Sequence, residues 1–434
     1  MLLPQSDSSA GWNLRVVLVC LVAFSVSLPI ALVSIAKVLL FAIGLGFLIR
    51  GHFEKRTDPA LQASWTVRAI FICFFGFAVS LLWTDVPLRV AALSLVKHGT
   101  LLSTVILIFL IRSETEARWG IGAFVVGQTF LLLSSWFLVA GLHPPWIVDL
   151  DSNGDPRGPY VVWSSYLDQS MIFASTAAVF FHLRRESLWP GWVGVLLSAM
   201  ALGNVLFFLP GRTGYAIAIT IIALSIMWMM PGRWRLVTLI AVPIVCIAAL
   251  SMGPAKVQER LSRIVTEGKN YAQQTQTESS SGWRLNAWHR SIQAIAESPW
   301  IGHGVGSWIT TVKRFEGNAG TKIFGNSQAS NPHQEYLLWG VELGVAGSLL
   351  LPALLLCVAR DAMRFRKSIS HATMSVASAI AVACLFNSAL YDGLIGDFFV
   401  VTLGLLLALG IRTSQPASDL SPPEPILNPL KAAA

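Results

Sequence analysis

Apolar runs of about twenty residues recur from Leu14 to Ile411, divided by short stretches that hold most of the charge, and few folds accept such a pattern. In hydrocarbon a chain must satisfy every backbone N–H and C=O internally, so runs of this length read as helices crossing a bilayer. Composition agrees, since 54% of the 434 residues are hydrophobic and only 12% are charged, about half the charge of a typical soluble domain. The expected fold is a single all-α polytopic membrane protein with about twelve transmembrane helices.

Apolar runs read against charged punctuation give spans at 14–32, 34–49, 65–83, 89–111, 118–140, 163–182, 189–208, 212–230, 234–252, 333–359, 371–390 and 394–411. The stretch 14–49 is broken near Pro29 and also reads as one kinked span with a re-entrant piece. Placing the N-terminus in the cytoplasm collects Arg50, Lys55 and Arg56, Arg112 and Arg118, Arg184 and Arg185, Arg233 and Arg235, and Arg360, Arg364, Arg366 and Lys367 in the inner loops. That is the bias expected of loops facing the cytoplasm. The outer turns Thr84–Leu88 and Tyr391–Gly393 lack Lys and Arg, and Leu142–Val162 is net acidic. Both termini are therefore expected inside. The organisation is a membrane domain over 1–252, an external loop over 253–332 between the ninth and tenth spans, a second membrane portion over 333–411 and a Pro-rich disordered tail over 412–434.

The other compositional features narrow the function. Cys20, Cys73, Cys246, Cys357 and Cys384 all fall inside expected spans, where they read as small buried apolar residues. The net charge of +8 is first a matter of topology and anionic membrane lipids. A nucleic-acid partner is excluded because the basic residues are scattered and not interleaved with aromatics on one surface. The first apolar segment has no small-residue cleavage pattern, so it is expected to stay in the mature protein. No internal repeat is evident.

The external loop is roughly eighty residues long, a length usually reserved for function. Ala255–Asn270 has an amphipathic helical pattern, Gln273–Ser281 is polar, and a helix over Trp283–Ala296 puts Trp283, Ala287, Trp288, Ile292 and Ile295 near one face. Three residues then share an unusual position. Arg212 follows Leu209-Pro210-Gly211 at the outer end of a span; Arg284 is expected in the first turn of the loop helix, capped by Ser280 or Ser281; His333 follows Asn331 as cap and Pro332 as first helical residue. Helix N-termini favour anions, phosphates above all, so a cation there opposes the macrodipole unless an anion is bound. The same dipole keeps an imidazole neutral and able to accept a proton. The pattern proposes two phosphate clamps and one general base. The plainer readings are an Arg212 that snorkels to headgroups, a solvated Arg284 and a His333 that only caps a helix.

Other motifs are weaker. Asp149-Leu150-Asp151-Ser152-Asn153-Gly154 resembles the start of a calcium loop, but its twelfth position is Tyr160 where a bidentate Glu is needed. Gly302-His303-Gly304-Val305-Gly306 lacks the strand and the Lys-Ser/Thr ending of a phosphate loop and reads as a tight turn. Lys97 and His98 are costly inside a span and are expected to reach its outer interface, while Asp168 and Gln169 stand near the start of another span without an evident partner.

Three segments carry a family resemblance. They are Pro210-Gly211-Arg212-Thr213-Gly214, then Arg284-x-x-x-Trp288 through Ser298-Pro299-Trp300-Ile301-Gly302-x-Gly304-x-Gly306, and Pro332-His333-Gln334-Glu335-Tyr336-Leu337 followed by Glu342-Leu343-Gly344-x-x-Gly347. In that order they resemble the O-antigen ligase and polymerase superfamily of bacterial envelope proteins, and the length, spans and late loop are most similar to its ligases. The resemblance implies a GT-C-type glycosyltransferase of the bacterial inner membrane with its site on the periplasmic face. The donor would be O-antigen polysaccharide on undecaprenyl pyrophosphate and the acceptor a sugar hydroxyl of lipid A core. His333 would be the base and Arg212 and Arg284 the pyrophosphate-binding residues, with no metal or nucleotide cofactor. Many relatives have Asn where this chain has Gln334, which touches the subtype and not the base. Polymerisation of O-antigen units and oligosaccharide transfer to protein belong to the same superfamily, and a flippase for lipid-linked sugar is the alternative from another class.

Overall fold

The computed structural model describes residues 13–53, 62–148, 157–186, 188–252, 258, 280–319 and 331–414. Among these residues every element is helical: α1 (Leu14–Ser25), α2 (Ile30–Phe53), α3 (Trp65–Val79), α4 (Leu88–His98), α5 (Leu102–Leu110), α6 (Glu114–Val139), α7 (Tyr166–Leu183), α8 (Gly191–Gly203), α9 (Arg212–Met229), α10 (Arg235–Ser251), α11 (Ser280–Glu297), α12 (Trp308–Ala319), α13 (Glu335–Ala362), α14 (Lys367–Phe386) and α15 (Gly393–Ser414). Ten helices or continuous helix pairs in the described residues are long and apolar enough to cross a membrane. The chain is a multi-pass, all-helical membrane protein. The segments 255–257 and 259–270, the calcium-like motif at 149–154 and the tail beyond 414 lie outside the described residues.

A helix occupies each expected span, with three physical differences. The span 14–32 is not one helix: α1 has 12 residues, about 18 Å at 1.5 Å per residue, against a hydrocarbon core of about 30 Å. Pro29 instead starts α2, its carbonyl accepting from Leu32 N at 2.9 Å. The fourth span bends through a 3-10 turn at Gly99–Leu101 that separates α4 from α5. Finally, α7 is 18 residues long but diluted by buried Gln169, Ser170, Ser175 and Thr176. Gln169 has partners after all: its Oε1 accepts from Val162 N at 2.9 Å and its Nε2 donates to Tyr160 O at 2.9 Å, so it holds the connection before α7.

The centre of the bundle is α15, 94% buried over its span. Polar side chains pin it at three heights, each paired because an unpaired group in hydrocarbon is costly. Lys37 of α2 meets Asp397 at 2.9 Å, Thr104 Oγ1 donates to Val400 O at 2.8 Å, and Arg412 Nε donates to Ile111 O at 2.9 Å. Across the bundle Asp361 accepts from Ser64 Oγ at 2.7 Å and from Thr66 N at 2.8 Å, fastening the end of α13 to the start of α3. All five cysteines are free thiols within helices.

The loop between α10 and α13 contributes α11, expected from its pattern, and α12, whose mixed charge hid it. α11 packs on α13 so closely that a Cβ at Gly340 would come within 2.6 Å of Ile295 Cδ1. Ile292 corrects the expected apolar face: it points outward while Ala287, Ser291 and Ala294 are buried. Between α11 and α12 the glycine-rich turn docks into a break in α13. Gly344 has φ 71° and ψ −163°, which releases the carbonyls of Val341 and Glu342 from the helix ladder. His303 N and Gly304 N donate to them, each at 2.9 Å, and Val345 N donates to Pro299 O at 2.8 Å.

Beneath this turn His98 is buried, contrary to the interfacial position expected from sequence. Its Nε2 lies 2.7 Å from Glu342 Oε2, its ring stacks on Phe77 at 3.7 Å, and Glu342 Oε1 accepts from Gly306 N at 2.8 Å. The described turn between α11 and α12 is thus clamped to α4 and α13.

Candidate active site

His333 lies in the connection before α13, not in its first turn. Gln334 is the actual cap, its Oε1 accepting from Leu337 N at 2.6 Å. His333 has φ 51°, a left-handed conformation that costs a non-glycine residue about 1–3 kcal/mol and is found mostly where function requires it. Asn331 holds it there, Oδ1 accepting from His333 N at 2.9 Å.

The imidazole is oriented from another element. His333 Nδ1 is 2.9 Å from Asn387 Oδ1, and the same oxygen accepts from Ser388 N at 3.1 Å. A backbone N–H must donate, so the contacting amide atom is the oxygen, and Nδ1 is the nitrogen that carries the proton. Nε2 is left as the lone-pair nitrogen. Trp283 of α11 closes one side, its ring 5.4 Å from the imidazole at 64°, and Trp288 Nε1 donates to Pro332 O at 3.1 Å.

Burial, first, and the charge of Arg284 hold the imidazole below its usual pKa, while the Asn387 hydrogen bond opposes them. The expectation of a neutral imidazole was argued from a helix dipole; burial is the larger cause here. Arg284 likewise corrects its expected place. α11 begins at Ser280, so Arg284 stands one turn in, within electrostatic reach of both His333 and Asp392.

Asp392, in the turn between α14 and α15, was not singled out from sequence. Burial pushes its carboxyl up to about 6, against the pull of Lys97, Asn331 and Arg284. Asn331 Nδ2 donates to Asp392 Oδ1 at 3.2 Å, and Lys97 sits 4.2 Å from the centroid of the neighbouring Tyr391 ring. The turn itself is anchored by Glu335, which accepts from Leu390 N at 3.1 Å and Trp339 Nε1 at 2.8 Å.

Arg212 arrives on α9. The last turn of α8 widens into a π-turn at Asn204–Phe208, and Gly211 caps α9. Gly211 and Gly214 let this end lie against α7: a Cβ on either would overlap Ser170. Asp168, two residues before Ser170 on α7, is within electrostatic reach of Asp392. Arg284 is therefore within electrostatic reach of His333, and Arg212 stands on the helix end that packs against Ser170 of α7.

Residues 197–352 match the family model described as O-antigen ligase. The chain carries a domain of the O-antigen ligase family. No curated protein matches the chain. The O-antigen ligase segment contains Arg212, Arg284, His333 and the Gly302–Gly306 and Gly344 docking motif, while Lys97, Asn387 and Asp392 lie outside it. Much of the resemblance is accordingly structural: the glycines, Pro299 and Glu342 fix the loop, and His303 Nε2 is 2.9 Å from Ala294 O within it.

Two outcomes follow for this geometry. Asn387→Asp puts a carboxylate beside the imidazole, which raises the His333 pKa; the acid limb of a pH–activity profile is expected to move to higher pH. An unchanged limb would remove Asn387 from the orientation of His333. Gly211→Ala is expected to displace the α9 end and lower activity at least tenfold, with recovery in a Ser170→Gly background because the clashing side chain is gone. Absence of recovery would separate activity from this helix contact.

Proposed function

We propose that the chain transfers O-antigen polysaccharide from undecaprenyl pyrophosphate to a sugar hydroxyl of lipid A core, on the periplasmic face of a bacterial inner membrane. The observation that carries this reading is the His333 imidazole, with Nδ1 tied to Asn387 and Arg284 within electrostatic reach. An acceptor hydroxyl gives its proton to His333 Nε2 as its oxygen bonds to the anomeric carbon. The bond from that carbon to the pyrophosphate oxygen breaks, and undecaprenyl pyrophosphate leaves. One displacement inverts the anomeric centre. Arg212 and Arg284 stabilise the charge growing on the pyrophosphate, where electrostatic help is most effective. Cleavage of the lipid pyrophosphate linkage drives the reaction, so the reading needs no nucleotide, and the arginines supply the charge that a metal supplies elsewhere.

The cations at the site gather at one end of the bundle, which favours an enzyme over a flippase with charges at the membrane midplane. Polymerisation and transfer to protein differ from ligation only in the acceptor. The test supplies full-length protein in lipid with undecaprenyl-pyrophosphate-linked polysaccharide, with and without lipid A core. Product on the core is the expected result. Donor elongation without core would replace this reading with a polymerase, and loss of activity on chelation would end the metal-free assignment.

A further inference from the structure

At the end of the bundle opposite His333, where α7 and α9 finish and α10 and α14 begin, a second group of side chains gathers. His371 stacks flat on Trp228, ring centroids 4.3 Å apart at 2°. His182 meets both rings edge-on, at 5.2 Å from Trp228 and 5.6 Å from His371, with Nε2 facing Ser225 Oγ at 3.3 Å. Around this stack lie cations: Arg185, Lys367 and Arg235 are within electrostatic reach of His371, and Arg184 and Arg185 of His182.

Local carboxylates are engaged elsewhere. Glu114 takes Arg118 at 2.7 Å, and Glu186 accepts from Ser368 Oγ and lies 3.7 Å from Arg118 and 3.9 Å from Arg366. Arg184 folds back over the Phe181 ring, 3.7 Å from its centroid, and onto the Phe181 carbonyl. Arg185, Arg235 and Lys367 instead stay exposed, three like charges all within electrostatic reach of the His371 ring. Such a convergence is destabilising unless an anion is shared among them.

The surroundings say what kind of anion. Trp192 and Trp234 are exposed at this level, as tryptophans are at the headgroup boundary. Directly beyond the cations, α10 leaves Leu236, Ile240 and Ile244 uncovered, and only 6% of its span is buried. A soluble phosphate would use the cations alone. A lipid uses both, and basic pockets between helix ends are a recurrent binding place for anionic lipid headgroups.

We propose that Arg185, Arg235 and Lys367 bind the phosphate of an anionic phospholipid whose acyl chains lie along α10. This site is independent of the chemistry at His333. Its occupant ties the peripheral α10 to α7 and α14, and so steadies the helix from which the external loop departs.

The test uses delipidated full-length protein in detergent, incubated with phosphatidylglycerol or phosphatidylcholine, with retained lipid counted by native mass spectrometry. Wild type is expected to retain phosphatidylglycerol preferentially. The variant Arg185→Gln/Arg235→Gln/Lys367→Gln is expected to weaken that retention on the order of 100-fold, from the usual contribution of each basic residue near anionic lipid. A control with equal charge removed elsewhere, Arg68→Gln/Arg360→Gln/Arg364→Gln, should keep it. Equal retention of the two lipids, equal loss in both variants, or displacement of lipid by inorganic phosphate at millimolar concentration would each overturn the proposal, the last in favour of a soluble anion.

Discussion

Replacement of His333 by glutamine is expected to lower polysaccharide transfer by about 10²–10⁴-fold, the usual contribution of a positioned general base. Glutamine retains a side-chain hydrogen bond to Asn387 but has no nitrogen able to take the acceptor proton. The pH profile carries the sharper information. Burial and Arg284 depress the imidazole pKa, so the active neutral form persists as pH falls past 6.5, the ordinary histidine value, and is lost only as pH passes the lowered pKa. Wild-type activity should therefore show its acid limb below 6.5, and His333→Gln should abolish that limb along with the rate. Arg284→Gln removes one source of the depression, so the limb should move upward toward 6.5 in addition to the loss of pyrophosphate stabilisation. A His333→Gln enzyme at full rate, or an unchanged limb in Arg284→Gln, would show that these side chains do not share one site.

The second large effect is expected at Gly344. Alanine there faces two penalties, since φ 71° with ψ −163° is a conformation that essentially only glycine adopts, and its Cβ would overlap the Pro299 carbonyl and lie 2.9 Å from Trp300 C. Strain and overpacking of about 1–3 kcal/mol each put the combined cost at about 2–6 kcal/mol. The break in α13 is what frees Val341 and Glu342 to receive the Gly302–Gly306 turn, so Gly344→Ala should undock the loop as well as destabilise the protein. Thermal unfolding should shift down, protease should cut within 280–319, and transfer should fail because Trp283 and Arg284 are carried by that loop. Gly122→Ala is the control: nothing lies within 4 Å of its Cβ, and in a helix interior alanine is preferred by up to about 1 kcal/mol. Equal behaviour of the two variants would refute the docking account.

What was legible and what was not divide by distance along the chain. The helices were readable because hydrocarbon demands runs of apolar residues about twenty long, and the break at Pro29 was readable because proline ends a helix. His333 and Arg284 stood out because a cation or imidazole at an outer helix end is unusual. Their local settings were misjudged: Gln334 won the cap from Asn331, which instead holds His333 in the left-handed region. α12 was hidden by Lys313, Arg314 and Glu316, which blur an apolar face. Asn387, near the end of the expected span 371–390, and Asp392, in the short turn after it, gave only a faint signal, since their partners lie 54 and 61 positions away.

The sequence by itself determined the solvent this protein folds in, the helices that cross it, the bias of arginines toward alternate connections, and three candidate residues for a site. Tertiary structure decided what those residues touch. It placed His98 under Glu342, turned the glycine motif into a dock for α13, and set Asn387 against the His333 imidazole. The reason is physical: burial in hydrocarbon acts on each segment through its own composition, whereas hydrogen bonds and charge pairs act over about 3–4 Å between residues that only packing can bring together.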